Sequence, residues 1–194
     1  MKEDSEIFVE DLKKACEVLQ RGGVIVYPTD TIWGIGCDAT NAEAVGRVYA
    51  LKQRTDHKAM LVLIDSSAKL NGYVSKVPDI AWNLIEVSVN PLTIIYPNAK
   101  NLAFNLLGED GSAGVRITNE LFSHELCKLF QKPIVSTSAN ISGLPSPGLF
   151  NEIAETVKKG VDYVVRYRQD EKVRAKPSSV IKLSEDGGFN IIRN

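Results

Sequence analysis

The sequence is poor in cysteine and contains no apolar run long enough to cross a membrane. Cys16, Cys37 and Cys127 are an odd number of widely spaced cysteines, which excludes a disulfide framework and any C-x-x-C metal or redox site. The longest apolar runs, such as residues 60–64, are far shorter than a bilayer-spanning helix. Residues 1–10 are acidic and lack the features of a secretory leader. These absences predict a cytoplasmic protein.

The sequence also lacks the residues on which several catalytic classes depend. Only two histidines occur, His57 and His124, and neither has an acidic neighbour at metal-ligand spacing. No G-x-x-x-x-G-K-[ST] motif is present, so a P-loop is excluded. A serine–histidine triad is also disfavoured, because the sequence offers so few histidines. We therefore expect no metal site made by the protein alone, and a chemistry that rests on hydroxyls, amides and cations.

What remains is the pattern of one soluble α/β domain. The 194 residues carry a net charge of −1 and 44% hydrophobic residues, so the chain as a whole does not attract nucleic acid. Apolar periodicity predicts helices over residues 11–20, 40–51, 78–87, 119–130 and 151–159, and strands over residues 24–27, 60–64, 92–96, 114–117, 134–136, 163–166, 179–183 and 190–193. Residues 21–23, Arg-Gly-Gly, are expected to end the first helix, because glycine tolerates the left-handed conformation found there. Thr40 with Glu43 has the form of a capping box, and Asn119 is the expected cap of the fourth helix. The alternation predicts a single domain over 1–194 with a mixed sheet.

One motif imitates a dinucleotide site. Residues 34–39 read G-x-G-x-x-A, the glycine pattern of a Rossmann turn. In that fold the glycines directly follow a strand and open a helix, whereas here residues 28–33 intervene and the helix begins after Thr40. We therefore predict that the glycines belong to a loop or an irregular strand in which the backbone passes close to a neighbour.

Three segments concentrate polar groups of the expected kind. Residues 27–34 place two threonines and Asp30 after a strand, residues 52–54 read Lys-Gln-Arg at a helix end, and residues 135–140 place four polar residues after an apolar strand. Each has an ordinary structural interpretation as a turn, a helix-dipole partner or a cap. A second basic cluster at residues 166–176 is interpreted as a solvated face.

Taken in order, these segments resemble the YrdC family of threonylcarbamoyl-AMP synthases. The matching stretches span essentially the whole chain and are residues 23–31, 34–37, 51–54, 114–116, 136–143 and 145–147. The resemblance implies a single-domain twisted mixed sheet with flanking helices and a concave substrate-binding surface. It also implies a nucleotidyltransferase that joins L-threonine, bicarbonate and ATP, with Mg²⁺ accompanying the nucleotide. Other proteins then transfer the threonylcarbamoyl group to tRNA.

The resemblance assigns roles to individual residues. The threonine-binding residues that it implies are Thr31, Arg116 and Ser136; the nucleotide-binding residues are Arg54, Lys58, Ser112, Ser138, Asn140, Ser146 and Arg193; and the catalytic residues are Lys52 and Arg54. Arg116 would pair with the carboxylate of threonine, and Lys52 would lend charge close to ATP. Asp30 is the acid nearest to this site in the sequence, and we consider it as a possible proton acceptor.

Two alternatives stay open. Residues 176–180, Lys-Pro-Ser-Ser-Val, depart from the late strand of the synthases and resemble the YciO branch, which would make the chain a paralogue with altered activity. The same concave surface would also suit a non-catalytic module that binds double-stranded RNA or tRNA, with an affinity that falls steeply with salt.

Overall fold

The computed structural model describes residues 2–53 and 60–194, so that Arg54 and Lys58 of the expected site lie outside the described residues. The helices in these ranges are α1 (Lys2–Gln20), α2 (Ala42–Leu51), α3 (Leu70–Tyr73), α4 (Asp79–Val87), α5 (Leu121–Phe130) and α6 (Glu155–Lys159). The strands are β1 (Ile25–Tyr27), β2 (Gly34–Gly36), β3 (Leu61–Ile64), β4 (Leu92–Tyr96), β5 (Ala113–Ile117), β6 (Ile134–Ser138), β7 (Tyr163–Val164), β8 (Ser179–Leu183) and β9 (Phe189–Arg193).

Within the described ranges, nine strands form one mixed sheet in the order β7-β1-β2-β6-β3-β5-β4-β8-β9. The pairs β1–β7, β3–β5 and β4–β8 are parallel, and the other neighbours are antiparallel. A sheet of this width accumulates the right-handed twist of its strands, which curves one of its faces. The expected α/β fold with a twisted mixed sheet is confirmed.

The two faces of the sheet are covered differently. Val62, Val115 and Val135 belong to one apolar cluster, which includes Ala44, Val45 and Val48 of α2. Leu63 and Ile134, on the opposite face, pack in a second cluster with residues of α1 and α5. Leu61, Gly114 and Ser136 are register partners that continue this second face beyond the two helices, where they line a pocket. One face therefore carries both a helix-covered end and an open end.

The end of α1 agrees with the sequence-based prediction, whereas the start of α2 does not. Gly22, with φ +74°, follows α1 as the predicted terminating glycine, because only glycine enters this conformation without strain. The predicted cap at Thr40 is wrong by one residue: Asn41 caps α2 by accepting from the main-chain N–H groups of Glu43 and Ala44. Thr40 is engaged instead with Asp38, to which its main-chain N–H and its hydroxyl both donate.

The predicted bounds of two later helices also differ from those in the structure. Glu120, rather than Asn119, caps α5 through its carboxylate, which accepts from the N–H groups of Phe122 and Ser123. The helix expected over residues 151–159 is broken into a 3₁₀ turn at Phe150–Glu152 and the short α6. β2 contains Gly34 and Gly36 and runs antiparallel to β1, which confirms that this glycine pattern is not a Rossmann turn.

Cys16, Cys37 and Cys127 are buried free thiols. None of the helices in residues 2–53 and 60–194 combines the length and the apolar character that spanning a bilayer requires.

Candidate functional site

A cavity of about 260 Å³ opens on the uncovered end of the sheet. Its residues come from seven strands that are consecutive in the sheet, β2 to β9, and from the connecting segments at residues 31–32, 60, 146 and 177–178. The polar residues that line it are Thr31, Thr93, Arg116, Ser136, Thr137, Ser138, Ser146, Ser178 and Arg193. The pocket therefore crosses most of the strands at the open end of this face, and polar groups reach it from many of them.

Side-chain alternation explains why the pocket forms there. Along β6, Ile134 packs under the helices, whereas Ser136 and Ser138, two and four residues later on the same face, line the pocket. On β5, Gly114 takes the corresponding place, and a Cβ atom there would lie 3.3 Å from both Leu61 Cβ and Thr93 Cγ2. Small and polar residues thus replace large apolar ones on this face, which leaves a space that the helices do not fill.

Arg116 is the central charged group of the pocket. Its side chain is 3% exposed, and its Nη2 atom donates to Thr31 Oγ1 at 3.2 Å and lies 3.0 Å from Asp30 Oδ1. Thr31 is held in turn by Thr29, whose hydroxyl lies 3.1 Å from that of Thr31. Among the described residues, no acceptor is found for the buried Nε of Arg116. The guanidinium is therefore fixed on one side and has an unused N–H donor.

Burial dominates the electrostatics of this ion pair. Removal from water raises the pKa of Asp30, an effect that the positive charge of Arg116 opposes. Burial likewise lowers the pKa of Arg116, and Asp30 opposes that shift. Asp30 lines a separate cavity on the opposite side of the sheet and is not among the residues that line the Arg116 pocket. Asp30 therefore affects the pocket only indirectly, by its ion pair with Arg116.

The other end of the pocket is more exposed. Ser138 and Ser146 are partly buried, and Arg193, on the edge strand β9, is exposed. Arg193 Nε donates to the main-chain oxygen of Ser178 at 2.8 Å, and Nη2 donates to the Ser178 hydroxyl at 3.4 Å. The Ser178 hydroxyl lies 2.9 Å from Thr93 Oγ1. Arg193 is thus tied to the start of β8 while its side chain still borders the pocket.

Lys52 and Asn140 lie directly behind the pocket wall. Lys52 is the C-cap of α2 and is 3% exposed. Its Nζ atom donates to the main-chain oxygens of Ser138 at 2.6 Å and Asn140 at 2.8 Å, and it lies 3.4 Å from Asn140 Oδ1. The Asn140 amide nitrogen donates to the main-chain oxygens of Ile141 and Leu144. Both residues are therefore engaged with the loop that follows β6.

The structure brings together six of the residues singled out in the sequence. Those that line the pocket are Thr31, Arg116, Ser136, Ser138, Ser146 and Arg193. Lys52 and Asn140 adjoin it, but Ser112 does not line it; the Ser112 hydroxyl donates to Asp110 Oδ1 in the loop before β5. Asp110 is in turn paired with Lys182. For Arg54 and Lys58, which lie outside the described residues, the assignments stay predictions.

Sequence reasoning assigned no role to three polar residues of the pocket, Thr93, Thr137 and Ser178. Thr137 lies in the polar segment 135–140, which was recognised only as a segment. Thr93 is a hydroxyl residue within the otherwise apolar β4, and it is 2% exposed. A buried hydroxyl in such a strand needs a partner, so its position was a usable signal. Ser178 follows Pro177 in a stretch that was recognised only as a departure from the synthase pattern, and its contact with Thr93 depends on the pairing of β4 with β8.

The part of the chain that the structure describes contains no group of three or more His, Cys, Asp or Glu residues that would hold a metal ion.

Comparison with known proteins gives extensive matches in sequence. The profile of the Sua5/YciO/YrdC family, described as "Telomere recombination", matches residues 17–194. A protein of Pseudoalteromonas translucida named threonylcarbamoyl-AMP synthase is 40% identical over 132 residues, which cover 66% of this chain and 71% of that protein. A protein of Vibrio parahaemolyticus with the same name is 30% identical over 175 residues, which cover 89% of this chain and 94% of the relative.

Solved structures agree with these matches. The crystal structure of P. abyssi Sua5 complexed with L-threonine superposes with a TM-score of 0.79 at 25% identity and covers 94% of this chain. The match spans 52% of the Sua5 chain, about half its length. E. coli YciO superposes with a TM-score of 0.82 at 25% identity, covering 94% of this chain and 88% of its own. The fold, the matched residues and the identity to the curated relatives together show that the chain belongs to the Sua5/YciO/YrdC family.

Proposed function

We propose that this chain is an L-threonylcarbamoyladenylate synthase, a nucleotidyltransferase that makes threonylcarbamoyl-AMP and pyrophosphate from L-threonine, bicarbonate and ATP. The names of its relatives support this reaction. The observation that carries it is Arg116, a buried guanidinium at the pocket floor with an unused Nε donor. A buried donor without an acceptor is costly, so the site favours a ligand that brings an anion to it.

Threonine suits the groups around Arg116. Its carboxylate would accept from the Arg116 guanidinium, because charged hydrogen bonds of this kind are the strongest in proteins. Thr31 and Ser136 place hydroxyls on the same floor, where they can bond the amino and hydroxyl groups of the substrate. The crystal structure of P. abyssi Sua5 complexed with L-threonine supports this choice of amino acid.

The exposed end of the pocket suits ATP. Ser138 and Ser146 offer hydroxyls, and Arg193 offers a cation at the rim. Asn140, Ser112, Arg54 and Lys58 complete the nucleotide-binding set that we propose. The Ser112 hydroxyl would have to exchange Asp110 for the ligand. Mg²⁺ would accompany the nucleotide and be held mainly by its phosphates, as is usual for this ion.

The reaction needs positioning more than covalent catalysis. The threonine nitrogen attacks the carbon of bicarbonate, and loss of water leaves a carbamate. A carbamate oxygen then bonds to the α-phosphorus of ATP while the bond from that phosphorus to the pyrophosphate oxygen breaks. Cations offset the charge that develops on pyrophosphate. Of the two residues to which the resemblance gives a catalytic role, Arg54 would act beside pyrophosphate, whereas Lys52 would act from behind the pocket wall without touching the substrates.

A non-catalytic RNA-binding role receives less support. In the second basic cluster, Arg166 pairs with Glu10 and Asp11, Arg168 with Glu120 and Glu171, and Arg174 with Glu152. These arginines are therefore already neutralised locally, which weakens the attraction of the cluster for phosphates. We propose that tRNA is reached through downstream transfer proteins.

The deciding experiment mixes the protein with ATP, Mg²⁺, bicarbonate and L-threonine and measures pyrophosphate. We expect pyrophosphate to form only when threonine and bicarbonate are both present, together with a product of the mass of threonylcarbamoyl-AMP. Pyrophosphate release that does not depend on threonine would point to the altered activity of a YciO-like paralogue. No release at all, with tight and salt-sensitive RNA binding, would favour the RNA-binding module.

A further inference from the structure

A buried ammonium stands at the centre of the loop that follows β6. Lys52 is 3% exposed, yet lysine is among the residues least often fully buried, because its charge needs compensation. Its Nζ contacts are oxygens of Ser138 and Asn140, at 2.6 and 2.8 Å for the main-chain atoms and 3.4 Å for Asn140 Oδ1. Oxygens of this loop therefore help to compensate the charge, because the negative ends of their dipoles point to the ammonium.

The main chain of the same residue holds the far end of this loop. The Lys52 carbonyl accepts from the N–H of Ser142 at 2.9 Å. The loop is joined to the sheet by Ser138, which pairs with Gly34 of β2. Lys52 therefore contacts the loop at residues 138, 140 and 142, and its own position is fixed by the end of α2.

The direction of the carbonyls matters for a site that receives phosphates. Carbonyl oxygens that faced the pocket would repel a phosphate, whereas hydroxyls and N–H groups attract one. The Ser138 carbonyl points to Lys52, while Ser138 still lines the pocket. The ammonium therefore draws the negative ends of the loop dipoles away from the nucleotide end of the pocket.

From this arrangement we propose that Lys52 is a positioning residue, which shapes the loop of residues 138–142 for the nucleotide. Its ammonium holds the main-chain oxygens of the loop and does not contact the phosphates. This inference rests on the proposed function for the identity of the nucleotide. It differs from direct phosphate binding in one respect. A lysine that contacts phosphate can be replaced in part by arginine, whereas three oxygens spaced around an ammonium do not fit a planar guanidinium.

The test compares Lys52→Met, Lys52→Arg and the control Lys132→Met. Lys132 is half exposed, bonds to Asp38 and lies outside the pocket lining. We expect both Lys52 variants to raise the KM for ATP by about tenfold or more, the effect of leaving buried acceptors unpaired, while the affinity for threonine is kept. The control should leave both quantities unchanged. If Lys52→Arg keeps the ATP affinity of the wild type, Lys52 contacts phosphate and the proposal is wrong.

A second measurement does not depend on the reaction. Amide hydrogen exchange at Asn140 and Ser142 should be about tenfold faster in Lys52→Met than in the wild type, with the amides of β5 unchanged. Unchanged exchange in the loop would overturn the positioning role even if ATP binding were weakened.

If the variants do not fold, a measurement on the wild type alone decides. Its Lys52 ammonium protons should give a slowly exchanging NMR signal that ATP does not shift, and a large shift on adding ATP would contradict the proposal. Failure of the proposed function itself would appear separately, as wild-type protein that forms no pyrophosphate.

Discussion

The two ends of the pocket are built on different physical principles. At the buried end, Thr31, Arg116 and Ser136 are each less than a tenth exposed, and Arg116 is held by Asp30 and Thr31. At the exposed end, Ser138 and Ser146 are partly buried and Arg193 is open to solvent. The buried end is organised before any ligand arrives, so that little ordering is needed on binding. The exposed end relies on charges that water and salt screen.

This difference matches the sizes of the two proposed substrates. Threonine is small and must be distinguished from similar amino acids, which calls for buried polar groups that reject a wrong partner. ATP is large and brings its own charge and Mg²⁺, so it can be held at a wider and wetter rim. We therefore expect substitutions at the buried end to act strongly on threonine, and those at the exposed end to act weakly on ATP.

The largest effect is expected for Arg116→Ala. It should weaken threonine binding, measured by calorimetry, by about 1.5–3 kcal/mol, because a charge-assisted hydrogen bond is lost in a buried site. Arg193→Ala, at the exposed end, is the control and should leave threonine affinity as in the wild type.

Loss of Arg116 also leaves Asp30 buried without its ion-pair partner, so Arg116→Ala must be checked for folding. Arg116→Lys separates the two effects, because it keeps the charge beside Asp30 but lacks the planar fork. We expect it to regain stability and little threonine affinity. Unchanged threonine affinity in both variants would remove Arg116 from the substrate site.

An intermediate effect is expected on the pH dependence of stability, measured with Asp30→Asn. Because folding raises the pKa of Asp30 above 3.8, the folded state binds this proton more tightly than the unfolded state. The free energy of unfolding of the wild type, minus that of the variant, should therefore fall as pH rises from 3.8 to the raised value. The slope is at most about 1.4 kcal/mol per pH unit.

Asp110→Asn is the matched control for this measurement. Asp110 is half exposed, and hydrogen bonds from Lys182 and Ser112 lower its pKa below 3.8. Its contribution to stability is therefore lost as pH falls below 3.8, which is the opposite sign. A difference for Asp30 that grows with pH would mean that attraction to Arg116 outweighs burial, and the contrast between the two ends would lose its electrostatic basis.

The sequence predicted the elements better than their assembly. Gly22 ended α1 as expected, and most strands and helices lie where periodicity placed them, because these signals are local. The short α3 was not predicted, and α1 begins at Lys2 instead of residue 11. The caps at Asn41 and Glu120 were missed by one residue, since several neighbours there carry side chains able to cap. The contact of Thr93 with Ser178 was not predictable in this way, because it depends on which strands pair across 85 residues of chain.

The site itself divides along the same line. Arg116 and Ser136 were named through resemblance, and the structure places both in one pocket. The burial of Lys52 could not be predicted from the sequence, because a lysine at a helix end is ordinarily an exposed partner of the helix dipole. Its burial becomes apparent only when α2 is placed against the loop after β6. Asp30 was predicted in part. Its proximity to the site was expected, but its orientation toward the opposite cavity was not.

The smallest effect is expected for Arg193→Ala. Its size is the most sensitive test of the difference between the buried and the exposed end of the pocket. Arg193 is exposed and already donates to Ser178, so its attraction for a phosphate is that of a solvated charge. We expect ATP affinity, measured by calorimetry, to fall by about two- to fivefold, the range of exposed ion pairs. The loss should shrink further at high salt, whereas the effect of Arg116→Ala on threonine should persist because that site is buried. Ile192→Ala, next to it on the same exposed strand and outside the pocket lining, should leave ATP affinity unchanged. A loss of a hundredfold or more that resists salt would show that Arg193 is as firmly organised as Arg116, and the two ends would then not differ in the way described.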